Sequence, residues 1–161
     1  MFLFMCSIFT FGQTEKFNEI EIVSHNITLV EPANKPVEQS LENDNVSYLT
    51  FQKKDGEHQN LMLNFNYCGY DWCFFNKIDY IIDGETYPIK FSYVSRWNED
   101  RFCKEQAYKT IKDDNLINAL SNAKMITLIV YGEREKIERK LSKFEISLLR
   151  NTAKFYKEQK S

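Results

Sequence analysis

Glycine and proline are scarce in this chain, five and three residues among 161, and histidine occurs only twice. So few glycines leave no phosphate-cradling loop and no dinucleotide fingerprint, and they favour sheets with large side chains over a glycine-rich cofactor fold. His25 and His58 stand far apart, without metal-ligand spacing and without a nucleophile signature around either. Neither a zinc centre nor a Ser- or Cys-based hydrolase is indicated, and no cofactor, metal or catalytic residue is expected. Charge of one sign is also missing. Twenty-one Lys and Arg against 23 Asp and Glu give a net charge of −2 and a pI near 5.8, so no broad basic field exists and no nucleic-acid partner is expected.

What the chain does have is aromatic bulk, with thirteen Phe, nine Tyr and two Trp. Its first twelve residues, Met-Phe-Leu-Phe-Met-Cys-Ser-Ile-Phe-Thr-Phe-Gly, carry no charge and are followed at once by Gln-Thr-Glu-Lys. This reads as the apolar part of a secretory signal, with the small residues Thr10 and Gly12 placed for cleavage after Gly12, although the usual basic n-region is missing. Eleven or so apolar residues are too few to span a bilayer. Residues 1–12 are therefore expected to be a signal peptide and 13–161 one globular domain, with no stable membrane span after signal removal.

The central stretch is Met125-Ile-Thr-Leu-Ile-Val-Tyr131, a β-branched and aliphatic run that only burial can satisfy. A strand at Lys136 to Leu141 follows, then an amphipathic helix from Lys143 to about Gln159. Ser142 and Glu145 form a capping box at its start, and Phe144, Leu148, Thr152 and Phe155 recur on one stripe. Asp113-Asp114 offer an N-cap for a short helix through Leu116, Ile117 and Leu120. Alternating apolar positions predict strands at Phe17 to Val23, Asn26 to Val30, Val46 to Phe51 and Leu61 to Tyr67. Ile78–Ile82 and Tyr87–Val94, joined through Asp83-Gly84, make the clearest hairpin. Pro88 should place its strand at an edge or at its own start. Pro32 and Pro36 punctuate a loop from Ala33 to Asn45. Arg96 to Arg101 reads as a charged loop, and Phe102 to Ile111 is ambiguous between a short helix and an irregular strand.

The most distinctive local feature is Tyr67-Cys68-Gly69-Tyr70-Asp71-Trp72-Cys73-Phe74-Phe75. In an exported chain Cys68 and Cys73 read first as a local disulfide, and a bridge from Cys103 to either is the alternative. Tyr70 and Trp72 flank Asp71 at a turn and are candidates for an exposed contact surface, although most rings in this stretch are expected in the core. Trp97 beside Arg96 is the second candidate.

The expected fold is α+β: a mostly antiparallel β-sheet, sandwich-like or curved, of seven to nine strands, with a short helix and a long C-terminal helix packed on it. The expected function is an exported, non-catalytic domain, periplasmic, cell-surface or secreted, that binds a protein or an envelope component. One rival is a secreted hydrolase acting on polysaccharide or peptide with acids among Glu19, Asp71 and Asp100. Another is an exported inhibitor or immunity-like protein whose Cys68 to Cys73 loop plugs a target's cleft.

Overall fold

The computed structural model describes residues 17–22, 27–33, 44–54, 57–134 and 136–160. The expected signal segment, His25 and most of the loop from Ala33 to Asn45 lie outside the described residues. In chain order the elements are β1 (Phe17–Ile22), β2 (Ile27–Pro32), β3 (Asp44–Lys54), β4 (Glu57–Gly69), β5 (Lys77–Ile82) and β6 (Glu85–Lys90). They continue as β7 (Ser95–Glu99), β8 (Phe102–Ile111), α1 (Asp114–Asn122), β9 (Ile126–Tyr131), β10 (Lys136–Lys140) and α2 (Lys143–Lys160). One six-stranded sheet has the order β1-β2-β3-β4-β8-β7, and a four-stranded sheet has the order β10-β9-β5-β6. Every pairing is antiparallel. The α+β class is as expected, with the short helix and the long C-terminal helix in the expected places.

The middle of the chain departs from the reading. Phe102–Ile111 is a full ten-residue strand, and most of the supposed charged loop is β7, paired with it from Ser95↔Gln106 to Glu99↔Phe102. Ten strands are therefore present among the described residues, not seven to nine. The strand after Asp83-Gly84 stops at Lys90 instead of running to Val94.

Alternation of side chains sets the two inner faces. Leu61, Leu63, Phe65 and Tyr67 of β4 are buried, as are their cross-strand partners Phe51, Leu49 and Ser47 of β3. In the smaller sheet Ile78, Tyr80 and Ile82 of β5 stand opposite Val130, Leu128 and Ile126 of β9, all buried. The faces meet where the Ser47 and Tyr80 hydroxyls share a 2.6 Å hydrogen bond. Beside it, Phe75 packs edge-on against Phe65 at 5.0 Å and Phe91 at 5.7 Å. Helix α2 lies against β3 and β4, with Phe155 and Tyr156 at 5.6 and 5.9 Å from Phe51, and α1 rests on α2. Side chains from both sheets and both helices join in one apolar cluster. Each Phe, Leu or Ile buried there contributes about 1.5–3 kcal/mol, so the alternation in the strands supplies most of the driving force.

Local chemistry fixes the connections. Asp83 and Gly84 have φ of 49° and 96°, the paired positive values of a tight hairpin turn. The Asp83 carboxylate also accepts the amides of Lys124 and Met125 at 3.1 and 2.8 Å, and its own amide donates to the Met125 carbonyl at 3.0 Å. One turn residue thus clasps the β5–β6 hairpin to the entrance of β9. Asp113 caps α1 by accepting the Asn115 amide at 2.9 Å. The capping box of α2 forms reciprocally, Ser142 N to Glu145 Oε2 at 2.8 Å and Glu145 N to Ser142 Oγ at 3.3 Å. Pro88 sits in β6, an outer strand of its sheet, where its missing N–H breaks no ladder. No helix among the described residues is long and apolar enough to cross a membrane.

Candidate functional site

Strand β4 ends at Gly69, where a Cβ would run into the Tyr67 hydroxyl, which donates to the Asp71 carbonyl at 3.3 Å. The loop that follows is pinned by Glu105, a fully buried carboxylate of β8. Glu105 accepts the Phe74 amide at 2.7 Å and the Arg96 Nε at 3.0 Å, while another Arg96 nitrogen donates to the Phe75 carbonyl at 3.2 Å. Phe74 is held at φ 53°, and its ring lies 5.3 Å beneath the Arg96 guanidinium. Arg96 is therefore part of the tie between this loop and the β7–β8 hairpin.

The aromatic candidates divide into separate places. Tyr70, 46% exposed, stacks on Phe102 at 5.2 Å with Arg101 over both rings. Trp72 is half-buried and tilts against Phe74 at 5.9 Å. Trp97 is 39% exposed, but as the neighbour of Arg96 in β7 it faces the other side of the sheet, opposite Lys104. Of the carboxylates considered for hydrolysis, Asp71 lies in the 69–75 loop and Asp100 in the β7–β8 turn at φ 55°. The Glu19 side chain lies outside the described residues.

The cysteine expectation is corrected. No disulfide joins Cys68, Cys73 and Cys103 to one another, and all three are buried. Cys103 stands opposite Gly69, so the preceding Cys68 points to the other face of the sheet, whereas Cys73 belongs to the inner apolar cluster. A bridge from Cys68 to either partner would have to pass through the sheet. The Cys103 thiol donates to the Tyr70 carbonyl, and burial, with Asp71 and Glu105 nearby, pushes its pKa up.

A polar cluster marks the outer face of the smaller sheet. The Tyr131 hydroxyl donates to Asp79 at 2.7 Å, and the Lys77 ammonium lies 3.0 Å from the same carboxylate and 4.4 Å over the Tyr131 ring. Burial works to raise the Asp79 pKa. The hydrogen bonds from Tyr131 and Lys77 and the charges of Lys77 and Lys136 together outweigh it and hold the carboxyl below its ordinary value.

A concavity lies elsewhere among the described residues. A groove of about 730 Å³ opens where the outer strand β6 of one sheet meets β8 of the other, above the start of α1. Ile89, Ile111 and Leu116 lie along it, and the phenols of Tyr87, Tyr93 and Tyr108 wall it. Tyr93 and Tyr108 are 73% and 65% exposed. Lys109 and Lys112 stand at its rim, and its one carboxylate, Asp113, is occupied as the cap of α1. The size and the mixture of apolar floor and few polar groups suit a small ligand or one stretch of a polymer.

No family model matches the chain, and no curated protein or solved structure matches it.

None of the groove's tyrosines is marked as a contact residue by the sequence alone. Tyr87 and Tyr93 belong to a segment that reads as a strand, and Tyr108 to one with no clear period. Only the antiparallel pairing of distant segments brings them to one opening.

Proposed function

We propose that the protein is an exported, non-catalytic domain that binds an envelope component in the groove between β6 and β8. The observation that carries this reading is the groove itself, with three tyrosines on its walls and two of them largely exposed. Flat phenol faces with a hydroxyl at the tip suit contact with a ligand that is apolar on one side and polar on the other. The groove's ionisable groups are tyrosines, lysines and one carboxylate committed to a helix cap, which suits holding a ligand and not cleaving it. Export is supported by the uncharged apolar opening of the chain and the small residues before Gln13.

The test is co-sedimentation of purified protein with an insoluble cell-envelope fraction of its host. The wild type should sediment, and Tyr93→Ala/Tyr108→Ala should stay in solution while melting at an unchanged temperature, since both rings are already exposed. Equal sedimentation of the two proteins, or none of either, overturns the assignment. Release of new reducing ends or peptides during the incubation would favour the hydrolase instead.

A further inference from the structure

We propose that the groove's ligand is an acidic polysaccharide, and that its chain continues over the β6 edge onto a lysine row on the outer face of the four-stranded sheet. The inference rests on the groove being the binding site and adds the class of ligand. Pairing places Lys90 opposite Lys77, Lys77 opposite Tyr131, and Tyr131 opposite Lys136. These four residues form one row across the whole width of the sheet, from β6 to β10, all on one face. Two lysines directly opposite each other are unfavourable in a sheet unless something negative lies nearby. Asp79 answers Lys77, at 3.0 Å. Among the described residues no carboxylate is within ion-pair distance of Lys90 or Lys136, and both are exposed.

The row is continuous with the groove. Pro88 and Ile89 line the groove, and Lys90 is the next residue of the same outer strand. Because Pro88 offers no N–H, this edge is poorly suited to receive an added peptide strand and is left for side-chain contacts. Lys109 and Lys112 at the groove's rim add positive charge at the other end of the path. Adjacent strands are about 4.8 Å apart, so Lys90 and Lys77 are one spacing apart and Lys136 lies roughly 10 Å beyond Lys77, with the Tyr131 ring between. That is a sparse set of charges interleaved with rings, suited to a chain of sugar rings bearing occasional carboxylates. A nucleic acid fits less well, because its dense phosphates would meet a protein of net charge −2.

The experiment is calorimetric titration of the full mature protein with a hyaluronan oligosaccharide, which carries a carboxylate on every second ring, with a neutral chito-oligosaccharide of equal length, and with a single-stranded oligonucleotide of equal charge. The hyaluronan oligosaccharide should bind at least about tenfold tighter than the neutral sugar, and the advantage should shrink between about 50 mM and 200 mM salt. Lys90→Gln/Lys136→Gln, which leaves the Asp79 hydrogen bonds in place, should lower its affinity by about tenfold and leave the neutral sugar unaffected. Equal binding of the acidic and neutral sugars, or an oligonucleotide that binds as tightly as the acidic sugar, overturns the inference. Absence of binding by the hyaluronan oligosaccharide does so too. If the tyrosine-dependent sedimentation with envelope persists in any of these cases, the groove assignment stands and only the ligand class falls.

Discussion

Asp79 and Tyr131 show how single side chains tie stability to pH. Tyr131 donates to Asp79 at 2.7 Å with Lys77 beside both. The Asp79 pKa lies below its ordinary 3.8 in the folded chain, so its stabilisation is complete above that value and is lost as pH falls through the folded pKa. Tyr131 has the opposite sign. Its hydrogen bond to Asp79, then burial and the Asp79 charge, raise the phenol above 10.0, so its contribution is present below pH 10.0 and disappears as pH rises through the folded pKa. The melting temperature should be level between about pH 5 and pH 9 and should decline on both sides. Asp79→Asn should flatten part of the acid decline and Tyr131→Phe part of the alkaline one. An acid limb unchanged in Asp79→Asn would mean that the carboxylate adds nothing. Residues of this kind are hard to read from sequence, because Asp79 in Ile-Asp-Tyr-Ile-Ile looks like any polar position of an alternating strand. Glu105 is the same case: its burial depends on Arg96 and the Phe74 amide, neither of which is adjacent in sequence.

At the level of elements, legibility followed the strength of local signals. The Asp83-Gly84 turn, the N-cap at Asp113 and the capping box of α2 are all short-range chemistry, and all form as read. Strand β8 was ambiguous for a physical reason. Its inward positions are Cys103, Glu105, Ala107, Lys109 and Ile111, so a buried carboxylate and an exposed lysine interrupt the apolar alternation. Strand β7 is a sheet edge, where charged residues guard against further pairing and so imitate a loop. The capping box gives a quantitative test of the well-read part. Ser142→Ala should cost about 1 kcal/mol. Glu145→Ala should cost about 2–3 kcal/mol, because Glu145 accepts from the Ser142 amide and hydroxyl and also pairs with Arg139. The two losses share contacts, so the double variant should cost less than their sum in urea unfolding, and agreement with the sum within about 0.3 kcal/mol would show that the box does not act as a unit.

For the whole molecule, the decisive feature is how two sheets specified by separate alternations come to face each other in one register. The strand patterns tell which side of each sheet is apolar, but not which residue of one meets which residue of the other, and the groove between β6 and β8 exists only because of that meeting. Ser47 and Tyr80 are the polar point in the contact. Both are fully buried, and their hydroxyls bond at 2.6 Å. Burial drives the Tyr80 phenol pKa far upward despite this bond, so the hydroxyl stays protonated. Without Ser47 the Tyr80 hydroxyl would be unsatisfied in an apolar core, which costs about 1–3 kcal/mol, whereas Ser47 without Tyr80 keeps its 3.4 Å bond to the Asn64 carbonyl. Ser47→Ala should therefore destabilise by about 1–2 kcal/mol and Tyr80→Phe by less, and the double variant, leaving no orphan phenol, should cost little more than Ser47→Ala alone. Additive losses would locate the energy in packing, not in the bond. If the bond does set the register, Tyr80→Phe should also weaken envelope binding at the groove, since the groove residue Tyr87 stands directly opposite Tyr80 in the β5–β6 pairing and moves with any slip of the sheets.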